Sequence, residues 1–189
     1  MRTRWRALFS VSAILLGITA VCPVSPLGAA TPLAPCELFT KQDAEAILKE
    51  SITEERVIEA TLPAGLTCRY AYRKEGSVFE VKVRLATDES IAEEGIHDSA
   101  KDVFDRQVKA RRAHEYASKT LREFEGLGEG SFWSGTSLWA LRGDCLVVVT
   151  VHSHLKGSFK DMDEMRAARE DQDLGYSKEI MATVMERLE

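Results

Sequence analysis

The sequence predicts an α+β domain, an antiparallel sheet of about six strands with helices packed on it, in the order helix, three strands, helix, three strands, helix. Three observations carry this. Residues 77–86 alternate, with Phe79, Val81, Val83 and Leu85 on one side and Glu80, Lys82 and Arg84 on the other. Such a strand covers a core with one face and meets water with the other. Gly143-Asp144 separates two largely apolar runs, 137–142 and 145–152, as a two-residue hairpin turn does. Near the C-terminus Ile180, Met181, Val184, Met185 and Leu188 recur at helical spacing. Strands grouped between helices by hairpin-length connections imply antiparallel pairing.

The first thirty residues read as a secretory signal peptide. Arg2, Arg4 and Arg6 give the positive start, 7–21 are uncharged and mainly apolar, and Gly28-Ala29-Ala30 place cleavage after Ala30. The apolar stretch is short of the roughly 20 residues a membrane-spanning helix needs, so no integral membrane segment is expected in the mature chain. Cys22 stands where lipoprotein processing would attach an anchor. However, Val21 and Thr19 replace the small residue and the Leu usual before it, and cleavage at Ala30 is preferred. Residues 31–39 then read as an extended linker and 40–189 as one globular domain.

Within that domain Thr40 is a helix N-cap, with Asp43 as its capping-box partner, and Ala44, Ile47 and Leu48 give a short amphipathic helix over 41–49. Strands follow at 56–62 and 67–73, the second with Cys68, Tyr70 and Tyr72 at period two. Lys74-Glu75-Gly76 turns into strand 77–86. Residues 88–117 form one long charged helix with a buried stripe of Ile96, Ala100, Val103, Phe104 and Val108. After a glycine-rich turn at 126–130 come strands 131–133, 137–142 and 145–152. The last two pair Leu141 with Leu146 and Trp139 with Val148 at the centre of the core. Residues 153–175 are polar, with a helical turn or two over 162–169, and a final helix is capped near Ser177. The two runs of three strands share a pattern, as an internal duplication would.

Removing the three arginines of the signal leaves 22 basic against 30 acidic residues and takes the net charge from −5 to −8. That balance disfavours nucleic acid as a partner. An oxidising compartment makes disulfides the default, and Cys36, Cys68 and Cys145 allow three pairings. Cys36 to Cys68 is favoured, because Cys36 lies in an irregular, proline-flanked segment that needs tethering and Cys68 sits in a strand. Cys145 is then a free thiol. In a valine-rich strand it reads as a small buried apolar residue, against the alternatives of a nucleophile or an intermolecular bridge.

Cys36-Glu37-Leu38-Phe39-Thr40 followed by Asp43-Ala44-Glu45-Ala46-Ile47-Leu48, then Cys68-Arg69-Tyr70, then Gly126-Leu127-Gly128-Glu129-Gly130-Ser131-Phe132-Trp133, resembles a group of small secreted domains and lipoproteins of actinobacteria, largely of unknown function. The resemblance covers most of the mature chain. It implies the Cys36 to Cys68 bridge and the same helix-and-sheet layout, and some relatives look like the photosystem extrinsic-subunit fold. It implies no catalytic residues. Cys145 is extra to the family pattern, and the lipid-accepting cysteine common among relatives is poorly formed at Cys22.

His152-x-His154 is the best metal candidate, since alternate residues of a strand point the same way. A third ligand is missing: Cys145 has the opposite parity, and His97 and His114 lie about 25 Å apart along one helix. The pair reads instead as a strand end, and neither metal nor cofactor is expected. Gly126-x-Gly128-x-Gly130 leads into a strand and is a turn, not a phosphate loop. Asp161-x-Asp163-Glu164 has Arg166 where a calcium loop needs Gly, and reads as a helix face. Ser131 and Ser134 are turn residues, Arg142-Gly143-Asp144 is turn chemistry, and Tyr70, Tyr72, Phe132, Trp133 and Trp139 are core rather than a ligand groove. The expected function is that of a secreted or cell-envelope, non-catalytic module binding a small molecule or an envelope protein. Two alternatives stand beside it: a secreted hydrolase or thiol enzyme using Cys145 or His152 and His154, and a structural envelope component.

Overall fold

In the computed structural model, which describes residues 34–188, the alternating segments assemble into one seven-stranded antiparallel sheet with helices on both faces. The signal segment 1–30 with Ala30 and Cys22, and residues 31–33 of the linker, lie outside the described residues. The elements are α1 (Pro35–Leu38), α2 (Lys41–Leu48), β1 (Glu54–Thr61), β2 (Ala64–Lys74), β3 (Ser77–Thr87), α3 (Asp88–Glu94), α4 (Ala100–Ala113), α5 (Glu115–Thr120), β4 (Arg122–Phe124), β5 (Gly130–Trp133), β6 (Ser137–Arg142), β7 (Cys145–His152) and α6 (Met162–Arg187).

The sheet order is β1-β2-β3-β7-β6-β5-β4. Register follows the hydrophobic pattern, because a slip of one residue would turn every core side chain to the other face. Val83 lies opposite Val149 and Leu85 opposite Val147. In the central hairpin Leu141 faces Leu146 and Trp139 faces Val148, as predicted. Gly143 makes that turn possible by taking a φ of 56°, which costs glycine nothing.

Alternation gives the sheet two cores. On one face Tyr70, Tyr72, Phe79, Val81, Val83, Val147, Val149 and Val151 meet Leu38, Phe39, Ala44 and Leu48 and the α6 stripe of Leu174, Ile180, Met181, Val184 and Met185. On the other, Ala86, Phe132, Trp139, Leu141, Leu146 and Val148 meet Ile91 of α3 and Ala100, Val103 and Val108 of α4. Each fully buried aliphatic side chain is worth about 1.5 to 3 kcal/mol of transfer free energy. The second core is the smaller, and the polar half of that face, with Arg69, Glu80, Lys82 and Arg84, is not covered by it.

The structure changes four of the expected elements. The segment taken as extended contains one helical turn, α1. Pro35 fits its first turn because proline lacks the N–H that would be unsatisfied there, and the Cys36–Cys68 disulfide ties it to β2. The long charged helix is three helices. Gly95, at φ 75°, ends α3 in a left-handed cap, and Ser99 restarts the backbone by accepting from Asp102 N at 3.1 Å. Ile96 falls in that break and is 58% exposed, while Ile91 occupies the core instead. A seventh strand, β4, pairs with β5 at the edge. Finally, 153–175 and the C-terminal helix are not separate: α6 runs unbroken from its N-cap Asp161, through Gly175, and buries Ser177 in its interior.

The pattern that suggested a duplication is seen in the arrangement of the strands and not in that of the helices. β3 and β7 meet at the centre, with a meander running outward from each. The helices that follow them part company, since α3 and α4 cover one face and α6 the other.

Candidate functional site

Cys145 opens β7 with its Sγ 3.3 Å from Asp144 Oδ1. Burial, the Asp144 carboxylate beside it and the charge of Asp88 push the thiol up to about 12, so at neutral pH it is protonated, whereas nucleophilic attack needs the thiolate. His152 closes the same strand, about 23 Å away at the usual rise. Cys145 and His152, offered as alternative reactive groups, therefore sit at opposite ends of β7.

His152 and His154 flank one aromatic ring, with centroids 5.6 and 5.2 Å from that of Phe79. The His154 backbone N donates to Tyr72 Oη at 2.9 Å, and its Nε2 lies 3.6 Å from a Glu75 carboxylate oxygen. His97 and His114 do not share a helix as expected. His97 lies in the break before α4, 3.3 Å from Asp102, and His114 lies at the α4–α5 junction, where its Nδ1 accepts from Ala117 N. Among the described residues the metal-capable trio that converges is Cys36, Glu55 and Cys68, whose sulfurs are joined in the disulfide. The five singled-out aromatics are all buried. Tyr70 Oη donates to the Phe39 carbonyl, and Phe132 stacks on Trp139 at 5.7 Å.

What the structure brings together, and the sequence reading missed, is a cleft of about 460 Å³ between the ends of β5 to β7 and the first half of α6. Arg166, Arg169, Glu170 and Asp173 line it from α6, facing Trp133, Thr136 and His152. Their spacing of three and four residues puts them on one helical face. That signal was present in the sequence but invisible once the helix was divided at Gly175.

Asp173 is 7% exposed. Its Oδ1 accepts from Ser153 N at 3.1 Å and from Ser153 Oγ, and Gln172 Nε2 donates to Ser153 Oγ at 2.7 Å and to His154 O at 3.1 Å. Burial raises the carboxyl above its usual range, opposed by the Ser153 hydrogen bonds and the nearby His152 and Arg169. Glu170 Oε1 accepts from Trp133 Nε1 at 3.1 Å and from Arg122 Nη2 at 3.0 Å. Arg169 Nη1 donates to Ser153 O at 3.3 Å. The cleft thus holds Arg169, Glu170 and Asp173 in a frame fixed by hydrogen bonds, with the exposed Arg166, paired to Asp163 on its own helix, at the rim, an arrangement that recognises a polar ligand by charge and shape. A perturbed, buried carboxyl in such a cleft is a functional candidate on physical grounds.

No protein family, curated protein or solved structure matches this chain.

Proposed function

We propose that this is an exported, non-catalytic binding module of the cell envelope or extracellular space, and that the α6 cleft holds a small polar ligand carrying both charge signs. The observation that carries the reading is Arg166, Arg169, Glu170 and Asp173 on one helical face against the sheet end. A ligand with an anionic and a cationic group meets an opposite charge at each end there. Export is supported by the N-terminal pattern and by the Cys36–Cys68 disulfide. The protonated state of Cys145 counts against the thiol-enzyme alternative.

Native mass spectrometry of the protein recovered from its own source tests this directly. An adduct that is lost on denaturation, and that Arg169→Gln fails to retain, supports the reading and identifies the ligand by mass. A bare mass, with no thermal shift across amino acids and short peptides, sinks the small-ligand reading and turns attention to a protein partner.

A further inference from the structure

The polar half of the sheet face beside α3 and α4 carries a ladder of charges. Arg69 bridges Glu54 at 3.1 Å and Glu80 at 2.6 Å, Arg56 reaches Glu54 at 3.0 Å, and Lys82 pairs with Glu80. Both carboxylates are therefore engaged by cations before the ladder reaches Arg84, the next residue of β3 on the same face. Arg84 has no carboxylate among the described residues. Its Nε donates to Thr67 Oγ1 at 3.3 Å and its Nη1 to Leu62 O at 2.9 Å, two neutral acceptors. Burial also makes its charged form less favourable than usual. A partly desolvated guanidinium without a counter-charge is costly for a fold to keep, and the ladder beside it shows how readily such a charge is neutralised elsewhere on this face.

Arg84 lies in the middle of a groove. Towards β6 and β7 an inner pocket of about 140 Å³ is walled by Ser137, Trp139, Val148 and Thr150. Towards β1 the groove widens into about 350 Å³ beside Ile58 and Leu62. Leu62, Thr67, Lys82 and Arg84 belong to both parts, which makes the groove continuous. Trp139 is 9% exposed and its Nε1–H has no acceptor among the described residues, while Ile58 and Leu62 are 38% and 62% exposed. Glu59 borders only the outer part.

We propose that this groove is an anion-binding site, distinct in its anchor from the α6 cleft, and that its ligand is a small organic monocarboxylate with an apolar body. One guanidinium without a counter-charge among the described residues calls for one negative charge, and its planar fork matches a carboxylate. Lys82, the nearest second cation, is already paired with Glu80, which disfavours a dianion. The indole of Trp139, the Val148 side chain and the exposed Ile58 and Leu62 supply the surface for the apolar body.

Titration of benzoate into the ¹⁵N-labelled full chain, followed at the Arg84 Nε–H and the indole signals of Trp133 and Trp139, tests the site. Saturable shifts at Arg84 and Trp139 are expected, with Trp133, which bonds Glu170 in the α6 cleft, left in place. Arg84→Gln should weaken binding about thirtyfold or more with an unchanged or raised melting temperature, whereas Lys109→Gln on α4 should leave affinity as it was. Tighter binding of phenylphosphate than of benzoate would overturn the monocarboxylate. Equal affinity in Arg84→Gln, unsaturable shifts, or a response at Trp133 in place of Trp139 would overturn the site. Of those results only a response at Trp133 bears on the α6 cleft, whose own ligand is read by mass.

Discussion

Two aspartates show opposite electrostatic signs. Burial raises the carboxyl of Asp173, so the folded state takes up its proton more readily than the unfolded chain does. Its ionised form costs stability at neutral pH, and that cost is relieved as pH falls through the raised folded value towards the ordinary 3.8. Asp173→Asn keeps an oxygen to accept from Ser153 and removes the buried charge. We expect stability at pH 7 to hold or rise by about 0 to 2 kcal/mol, with the advantage shrinking in mild acid, as urea denaturation at several pH values would read. Asp43 is the reverse case. The Arg187 guanidinium, together with hydrogen bonds from Thr40, holds its carboxyl well below the usual range. The stability it contributes is present above 3.8 and is lost as pH falls through the depressed folded value. Its two oxygens accept from Arg187 at 2.6 and 2.9 Å. Arg187 is partly exposed, so Asp43→Asn should cost about 1 to 2 kcal/mol at pH 7, a difference that vanishes in strong acid.

At the scale of elements, two glycines answer to different neighbours. Gly175 lies inside α6, and a Cβ there would meet nothing within 4 Å. Gly175→Ala should therefore stabilise by about 0.5 to 1 kcal/mol, a rise of a few degrees in melting temperature by calorimetry. Gly128 sits at φ 72°, and a Cβ would collide with the Leu141 carbonyl oxygen. Gly128→Ala should cost about 2 kcal/mol or more in the same measurement. These positions also show where the sequence was legible. The strands and the central register could be read because period-two burial and the Gly143-Asp144 turn act over a few residues. The break at Gly95 could not, since a single glycine among good helix formers costs only about 1 kcal/mol and packing of Ile91 and Ala100 decides. The continuity of α6 was hidden for the mirror-image reason: glycine is tolerated where an apolar stripe on one side and Asp173 on the other hold the helix to the sheet. β4, at three residues, is too short to show a period. The cleft depends on Ser153 meeting a side chain 20 residues later, a contact set by helix placement rather than by local pattern.

Across the whole molecule, the N-terminal part of the described chain is fastened at three points that are remote in sequence. Cys36 is bonded to Cys68 of β2, the Phe39 carbonyl accepts from Tyr70 of the same strand, and Arg187 at the end of α6 donates to Leu38 O at 2.9 Å as well as to Asp43. Only the first is covalent, and its sequence separation of 32 corresponds to about 3 to 4 kcal/mol on the chain-entropy account. Set against a total of about 5 to 15 kcal/mol for a domain, replacing both cysteines by serine should leave the protein folded but markedly weaker. If the bridge acts chiefly on the unfolded chain, the urea midpoint should fall and the slope of the transition rise, because an uncrosslinked chain exposes more surface. Protection of the Phe39 amide, which donates to Pro35 O, and of the Lys49 amide, which donates to Glu45 O, should then be lost only with global unfolding. If instead the bridge holds α1 in place, the Phe39 amide should exchange early in the Cys36→Ser/Cys68→Ser protein while the amides of β3 and β7 stay protected. The Tyr70 and Arg187 contacts fasten the same segment without the sulfurs, so we expect the first result.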